Sequence, residues 1–189
     1  MTWHVMVDLE TLATDNNAQI ISIGAVKFNK DGLGSEFYQT VLMEGNSPFS
    51  VNPQTVAWWL KQSKEAQDAL FMESKRIEDV LRNFQSWYRG KHLTSVADEN
   101  TQIQEEVIFE TSGKEVWGNG VNFDNAILRN AFEVCKIKCP WSFRDDRCYR
   151  TVVALNKHKG VQYERVGTHH NALDDSKTQA QYLIKLGVL

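Results

Sequence analysis

Two acidic side chains, Asp8 and Glu10, stand two residues apart in the segment VDLET, which follows an apolar start to the chain. Residues two apart on a strand point to the same face, so these carboxylates crowd one side of a sheet and repel each other. Either the face is solvated, as at the edge of a sheet, or a divalent cation offsets the repulsion, since hard cations prefer oxygen ligands. The pair by itself leaves both interpretations open.

A third acid, Asp124 in GNGVNFDN, opens a predicted helix. It lies one turn before Ile127 and Leu128, which places it on the apolar stripe, with Asn125 as its outward neighbour. An unpaired buried carboxylate is costly or has a shifted pKa, which is typical of a functional site. The alternative is an ordinary first-turn acid favoured by the helix dipole.

The last predicted helix, residues 172–186, carries two adjacent acids. Asp174 shares its face with Lys177, whereas Asp175 borders Leu183. The helical pattern therefore predicts that Asp175 points inward and Asp174 outward.

Two histidines precede this helix on a loop, in the segment GTHHNALDD. A loop histidine is usually exposed, but from this position an imidazole could reach over the acids. His170 stands five residues before Asp175, and we interpret His170, rather than His169, as a general base.

The elements that position these residues follow from hydrophobic periodicity and turn residues. Strand patterns occupy residues 3–9, 20–28, 36–42 and 116–120, with a turn at 31–34; helix patterns occupy 53–70, 74–89, 123–132, 148–158 and 172–186, the last capped by Asn171. Short connections favour an antiparallel meander for the first three strands. Alternating helix and strand then predict an α/β fold, a mixed sheet flanked by helices.

Composition excludes several classes of protein. With 21 Lys and Arg against 24 Asp and Glu in 189 residues, the net charge of −3 excludes a polybasic or histone-like binder. Eleven Gly, three Pro and 42% hydrophobic residues exclude collagen-like and disordered chains. We expect one domain, residues 1–189, with a polar insertion at about 92–114 that contains a hairpin around QEEVIFE. No leader or membrane-length segment is visible, so we expect a cytoplasmic protein, bacterial or in a phage-infected cell.

The three cysteines, Cys135, Cys139 and Cys148, favour reduced thiols over a disulfide framework. A zinc site that combines them with His158 matches no standard ligand spacing.

The motifs VDLET, NGVNFD and HHNALDD, in this order and at these separations, resemble the three exonuclease motifs of the DEDDh family in the ribonuclease H-like superfamily. The resemblance runs from Asp8 to Asp175. The segment VAWWLKQSKEA is similar to the helix after the meander in phage-type exodeoxyribonucleases and relatives of ribonuclease T. The resemblance implies a ribonuclease H-like sheet, with an antiparallel meander followed by parallel strands, flanked by helices.

Carried over by position, the resemblance assigns four metal ligands, here called the acidic quartet: Asp8, Glu10, Asp124 and Asp175. It implies two Mg²⁺ or Mn²⁺ ions, with Asp8 shared, Glu10 and Asp175 on the nucleophile side, and Asp124 on the other ion. His170 would be the general base, because it fits the family pattern HxAxxD.

Substrate-binding residues are expected beside these motifs. Glu10 and Thr11 would contact the terminal 3' hydroxyl, Leu12 and Phe123 would pack on the terminal bases, and Asn122 would reach a phosphate or sugar. A core or capping role for the last three stays open.

Two basic segments lie between the second and third motifs. FRDDRCYRT, with Arg144, Asp146 and Arg150, is similar to a stretch near the substrate in some relatives, and residues 157–159 form a small basic patch best interpreted as solvated surface.

The resemblance therefore implies a metal-dependent 3'-5' exonuclease that releases nucleoside 5'-monophosphates from a nucleic acid 3' end. The phage-like segment favours DNA over RNA. We expect a single-stranded substrate, no membrane partner and a homodimer. The alternatives are a non-catalytic nucleic-acid-binding domain of the same fold, and a metal-dependent phosphoesterase acting on short oligonucleotides.

Overall fold

The computed structural model describes residues 3–70, 72–98, 101–109, 113–165 and 167–189. The strands are β1 (Trp3–Thr11), β2 (Ile20–Asn29), β3 (Gly32–Val41), β4 (Ser74–Lys75), β5 (Lys91–Asp98), β6 (Thr101–Phe109), β7 (Gly113–Gly118) and β8 (Asp146–Cys148). The helices are α1 (Pro53–Trp59), α2 (Lys64–Ala69), α3 (Ile77–Tyr88), α4 (Asp124–Val134), α5 (Tyr149–Leu155) and α6 (Ala172–Leu186), with short 3₁₀ turns at Phe143–Asp145 and Lys157–Lys159.

Six strands form one mixed sheet in the order β4-β3-β2-β1-β7-β8. β1, β2 and β3 are antiparallel neighbours, whereas β7 pairs with β1, β8 with β7 and β4 with β3 in parallel. This confirms the α/β fold, its meander and its parallel strands. β5 and β6 form a separate antiparallel pair. The hairpin expected around QEEVIFE is therefore present, while the interpretation of 92–114 as an insertion in a single domain stays a prediction.

The first strand lies inside the sheet, between β2 and β7. The interpretation of Asp8 and Glu10 as residues of a solvated edge is therefore wrong, and both side chains are less than a tenth exposed. β1 gains β7 as a neighbour through a long crossover, which local periodicity does not show.

Several element boundaries differ from the sequence prediction. β3 begins at Gly32, within the turn expected at 31–34, because the Asn29 side chain accepts a hydrogen bond from the backbone N–H of Asp31 and tightens the turn. The helix expected over 53–70 is two helices, since the Ser63 hydroxyl caps α2 by accepting from Ala66 N–H at 3.2 Å.

Three further boundaries also changed. The helix expected from residue 74 begins at Ile77, after the short strand β4. The last predicted strand ends at Gly118, and the helix expected over 148–158 covers only Tyr149–Leu155. β8 was missed because three residues are too few to show alternation.

The two faces of the sheet have separate cores. Val5, Val7 and Leu9 of β1 pack on the side of α3 and α4, whereas Met6 packs on the side of α6. Since side chains alternate along a strand, Asp8 and Glu10 share the face of Met6 and point towards α6.

A glycine fixes how closely α6 approaches that face. Gly24 of β2 is paired with Asp8, and a Cβ at Gly24 would lie 2.1 Å from backbone atoms of Ala172 and Leu173. The first turn of α6 therefore lies directly on β2 beside Asp8. This contact places Asp175 next to the acids of β1.

We predict that Gly24→Ala destabilises the protein by about 1–3 kcal/mol, because the added methyl group must push α6 away from the sheet. Nuclease activity should fall by more than the loss of folded protein accounts for, since the displaced helix carries Asp175. Thermal unfolding and the initial rate of hydrolysis measure the two effects. Gly45→Ala is the matched control, because a Cβ at Gly45 meets nothing within 4 Å; equal effects of the two substitutions would contradict this account.

Candidate active site

The acidic quartet lines one open cavity of about 430 Å³, and His170 lines the same cavity. One carboxylate oxygen from each of Asp8, Glu10 and Asp175 lies within 4.8 Å of the other two. The structure thus brings together the five residues singled out as catalytic in the sequence.

Asp124, the first residue of α4, is held by the backbone of two other segments. Its Oδ1 accepts from Leu9 N–H at 3.3 Å and its Oδ2 accepts from Gly120 N–H at 3.2 Å. A Cβ at Gly118 would lie 2.9 Å from the Cβ of Asp124, so only glycine admits this close approach. Asp124 is 2% exposed and points inward, as predicted.

Asn125 was expected to point outward, and this is wrong: it is fully buried. Its Nδ2 donates to the Val116 carbonyl and to Asp146 Oδ1, both at 2.9 Å. The helical-face argument failed because α4 meets a second partner, β7 and β8, on the side away from the apolar stripe. Asp146 also accepts from Arg129 at 2.7 Å, so it belongs to a structural cluster, not to the cavity.

Asp8 is oriented by a side chain that the sequence analysis missed. Gln179 of α6 donates from Nε2 to Asp8 Oδ1 at 2.8 Å, and Gln179 is itself buried. Gln179 follows Asp175 by one helical turn, so both reach the cavity from the same face of α6. The spacing 175/179 was visible in the sequence, but nothing there indicated that a glutamine would contact β1.

Burial and mutual repulsion shift the acids towards their protonated forms. Burial, followed by the charges of Asp124, Glu10 and Asp175, raises the pKa of Asp8 well above its usual value. Burial and the same kind of repulsion raise the pKa of Glu10 to about 8. Burial raises the pKa of Asp124 to about 6, although its backbone hydrogen bonds oppose the shift. Such a set of oxygen donors fits a hard divalent cation, which would offset this repulsion.

His170 adopts a left-handed backbone conformation, with φ of 62°. Its backbone N–H donates to Asp175 Oδ2 at 3.2 Å, and its ring stacks on His169 with centroids 3.8 Å apart. The edge of its ring meets Trp58, with centroids 4.8 Å apart. Burial and the neighbouring His169 lower the pKa of His170, so a neutral imidazole faces the acids near neutral pH.

The adjacent acids of α6 have different roles. Asp175 lines the cavity, whereas Asp174 Oδ2 accepts from Thr168 N–H at 2.8 Å and holds the preceding loop. Asn171 caps the helix as predicted by accepting from Leu173 and Asp174 N–H groups.

The residues expected to bind substrate do not all line the same cavity. Phe123 lines the acidic cavity and also an adjoining cavity of about 450 Å³, which Thr11 lines too. Leu12 lines a separate apolar cavity with Trp59, and Asn122 is exposed.

Other residues around the acidic cavity were not predicted: Asn119, Tyr149, Tyr163 and Arg165. Arg150 does line it, whereas Arg144 of the same segment does not. The basic patch at 157–159 lies outside the cavity, and Lys159 Nζ donates to the Leu186 carbonyl. Nothing in the sequence indicated that Arg165 would line the cavity, because its segment follows no helix or strand pattern.

The cysteines take no part in this site. Cys135, Cys139 and Cys148 are free thiols. Within the described part of the chain, the groups able to hold a metal ion are Asp8, Glu10 and Asp175, and His169, His170 and Asp175. The zinc site with His158 is therefore not formed.

The profile of the Rv2179c-like family, described as a 3'-5' exoribonuclease domain, matches residues 3–186. The chain belongs to this family. It is thus a 3'-5' exonuclease, and the resemblance to DEDDh exonucleases is confirmed. No curated protein sequence matches the chain.

Solved structures of DEDDh-type nucleases share the fold of this family member. The nuclease domain of 3'hExo bound to rAMP is 15% identical, with a TM-score of 0.59 over 97% of this chain and 90% of that one. E. coli exonuclease I with a dT13 oligonucleotide is 12% identical, with a TM-score of 0.66 over 100% and 41%. Cell-death related nuclease 4 is 13% identical, with a TM-score of 0.59 over 98% and 64%. The chain spans about two fifths of the length of exonuclease I.

Among the described residues, no helix combines the length and apolarity that a bilayer crossing requires.

We predict that the stability of the metal-free protein falls as the pH rises from about 5 to about 8. In that range the folded protein retains protons on Glu10 and Asp124 that the unfolded chain releases, because their folded pKa values, about 8 and about 6, lie above their ordinary values. Unfolding temperatures in EDTA measure this slope. Glu10→Gln should flatten it, and Mg²⁺ should raise the unfolding temperature most at the alkaline end; a slope unchanged in Glu10→Gln would contradict the assignment.

Proposed function

We propose that the chain hydrolyses single-stranded nucleic acid from its 3' end and releases nucleoside 5'-monophosphates, with two Mg²⁺ or Mn²⁺ ions and His170 as general base. The observation that carries the proposal is the acidic quartet around one cavity, with a neutral imidazole at its rim. Chemistry on a phosphodiester needs both a cation site and a proton acceptor, and this cavity offers both.

The acidic quartet would hold the two ions, with Asp8 shared between them. When bound, these ions activate a water molecule and stabilise the charge on the leaving oxygen. The chain's own part is to keep its ligands in place without them: Gln179 orients Asp8, and two backbone amides orient Asp124. Preorganised ligands lower the cost of reaching the reactive arrangement.

His170 would take the proton from the attacking water. Its lowered pKa keeps it able to accept a proton at neutral pH, and its backbone hydrogen bond to Asp175 fixes it beside a proposed metal ligand. His170 then passes the proton to solvent, since the loop is partly exposed.

The adjoining cavity is suited to the terminal base. It shares Leu9, Glu10 and Phe123 with the acidic cavity, and Trp58 also lines it. Trp58 is 41% exposed and offers its ring to a base, and stacking of this kind tolerates any sequence. Thr11 lines this cavity beside Glu10, and the proposal assigns both to contact with the terminal 3' hydroxyl.

Trp59 and Leu12 lie next to this lining and stabilise it. Trp59 is buried and donates from its Nε1 to the Thr11 carbonyl at 2.9 Å, which holds α1 against β1. Leu12 packs beside Trp59, and this favours a supporting role for Leu12 over a direct contact with a base.

The choice of polymer follows from the family description. The phage-like segment favoured DNA, whereas the family is described as exoribonucleases. Related folds have been solved with rAMP and with dT13. Because the family match covers nearly the whole chain, we propose RNA ahead of DNA. The homodimer and the cytoplasmic location stay predictions.

The first test is digestion of 5'-labelled RNA, single-stranded DNA and duplex DNA of one sequence, side by side with Mg²⁺, Mn²⁺ or EDTA. We expect a ladder that shortens from the 3' end, fastest on RNA, absent in EDTA and absent in Asp8→Asn. Full activity in EDTA would contradict the assignment of the acidic quartet as metal ligands. Hydrolysis confined to dinucleotides would favour the phosphoesterase, and binding without hydrolysis would favour the non-catalytic domain.

The second test compares the stacked histidines. His170→Ala should lower kcat by about 10²–10⁴-fold, the usual effect of losing a positioned general base. His169→Ala should lower it far less, because His169 falls outside the five-residue spacing to Asp175 that assigns the base to His170. Binding of Mn²⁺ should survive both changes. A larger loss in His169→Ala would reverse the assignment.

A further inference from the structure

Arg165 forms an ion pair with Asp175, a member of the acidic quartet, through its Nη1 and the carboxylate Oδ1. The Asp175 side chain is 12% exposed and that of Arg165 is 35% exposed. Arg165 also lines the acidic cavity. A positive side chain is thus already paired with an acid that the proposed function assigns to a cation.

The two oxygens of Asp175 have different partners. Oδ2 accepts the backbone N–H of His170 at 3.2 Å, and Oδ1 takes Arg165. Oδ1 is one of the oxygens that a cation shared with Asp8 and Glu10 could use, and Arg165 occupies it in this structure. A guanidinium and a divalent cation on one oxygen repel each other strongly inside a partly buried cavity. A cation bound at this carboxylate therefore competes with the ion pair and favours the release of Arg165.

The segment that carries Arg165 can allow such a movement. Residues 160–165 contain no helix or strand, and glycines with positive φ, Gly160 at 63° and Gly167 at 70°, stand on either side. A displaced Arg165 stays at the rim of the cavity, where the phosphates of a nucleic acid would lie. A guanidinium pairs with a phosphate through two parallel hydrogen bonds.

We propose that Arg165 is a positioning residue that exchanges partners: it neutralises Asp175 in the metal-free protein, leaves when a divalent cation binds, and then pairs with a phosphate of the substrate. The exchange makes substrate binding depend on the metal, because the phosphate-binding side chain is released only in the loaded site. This inference rests on the proposed function, since it takes Asp175 as a metal ligand.

Arg150 provides a matched comparison. It lines the same cavity, with its guanidinium against Gly120, where a Cβ would lie 2.1 Å from Nη2. Among the ion pairs of the described residues, Arg150 has no carboxylate partner. Arg150→Ala therefore removes one positive charge from the cavity without freeing a ligand oxygen.

The test has two measurements by calorimetry: binding of Mn²⁺ without substrate, and binding of adenosine 5'-monophosphate at saturating Mn²⁺. This nucleotide has no phosphodiester bond for the enzyme to hydrolyse. Arg165→Ala should bind Mn²⁺ about fivefold more tightly than wild type, since it loses a competing ion pair. It should bind the nucleotide about tenfold more weakly, since it loses a charged hydrogen bond to phosphate. Arg165→Gln, which keeps a polar side chain but removes the charge and the guanidinium, should show both changes, and circular dichroism checks that each variant is folded.

The two opposite changes separate this role from a structural one, which would weaken both ligands. If Arg150→Ala tightens Mn²⁺ binding as much as Arg165→Ala does, the effect comes from the loss of any positive charge near the cavity, and the proposal is overturned. Unchanged or weaker Mn²⁺ binding in the folded Arg165 variants would also overturn it, while the proposed function would stand. A wild-type protein that binds no Mn²⁺ would overturn the proposed function itself.

Discussion

Repulsion among four carboxylates gathered around one cavity is the constraint that the rest of this structure must satisfy. Burial makes the repulsion stronger, because charges in the protein interior are screened less than in water. Three kinds of support hold the acids despite it: a central strand that cannot move, backbone amides that bond Asp124, and a helix that lies on Gly24. Each support comes from a different part of the chain, so the site exists only when the whole sheet is assembled.

The same repulsion favours a cation in the cavity. Several carboxylate oxygens around one site suit a small divalent cation, which prefers oxygen ligands. When no cation is bound, Arg165 lowers the electrostatic cost of the buried acids, because its guanidinium partly neutralises Asp175. The catalytic arrangement is thus less stable than its surroundings, and the cores on the two faces of the sheet stabilise it.

Much of the site could be predicted from the sequence because its acids follow simple periodicities. Asp8 and Glu10 have strand spacing, and Asp175 lies on the inner face of a helix with a clear cap. Asn125 was misplaced because a helix that contacts two neighbours has two buried faces, and periodicity describes only one. Trp58, Gln179 and Arg165 could not be assigned, since their roles depend on contacts across more than a hundred residues or on a segment without regular structure.

The left-handed conformation of His170 couples the position of the proposed general base to a proposed metal ligand. A non-glycine residue with positive φ costs about 1 kcal/mol, and here the hydrogen bond to Asp175 helps to hold it. Replacing Asp175 would remove a proposed metal ligand and also the acceptor of the His170 N–H, so the backbone that positions the imidazole at the cavity would be free to relax. Substitutions at position 175 would therefore affect both proposed roles at once. During evolution, a single change at that position would act on both in one step.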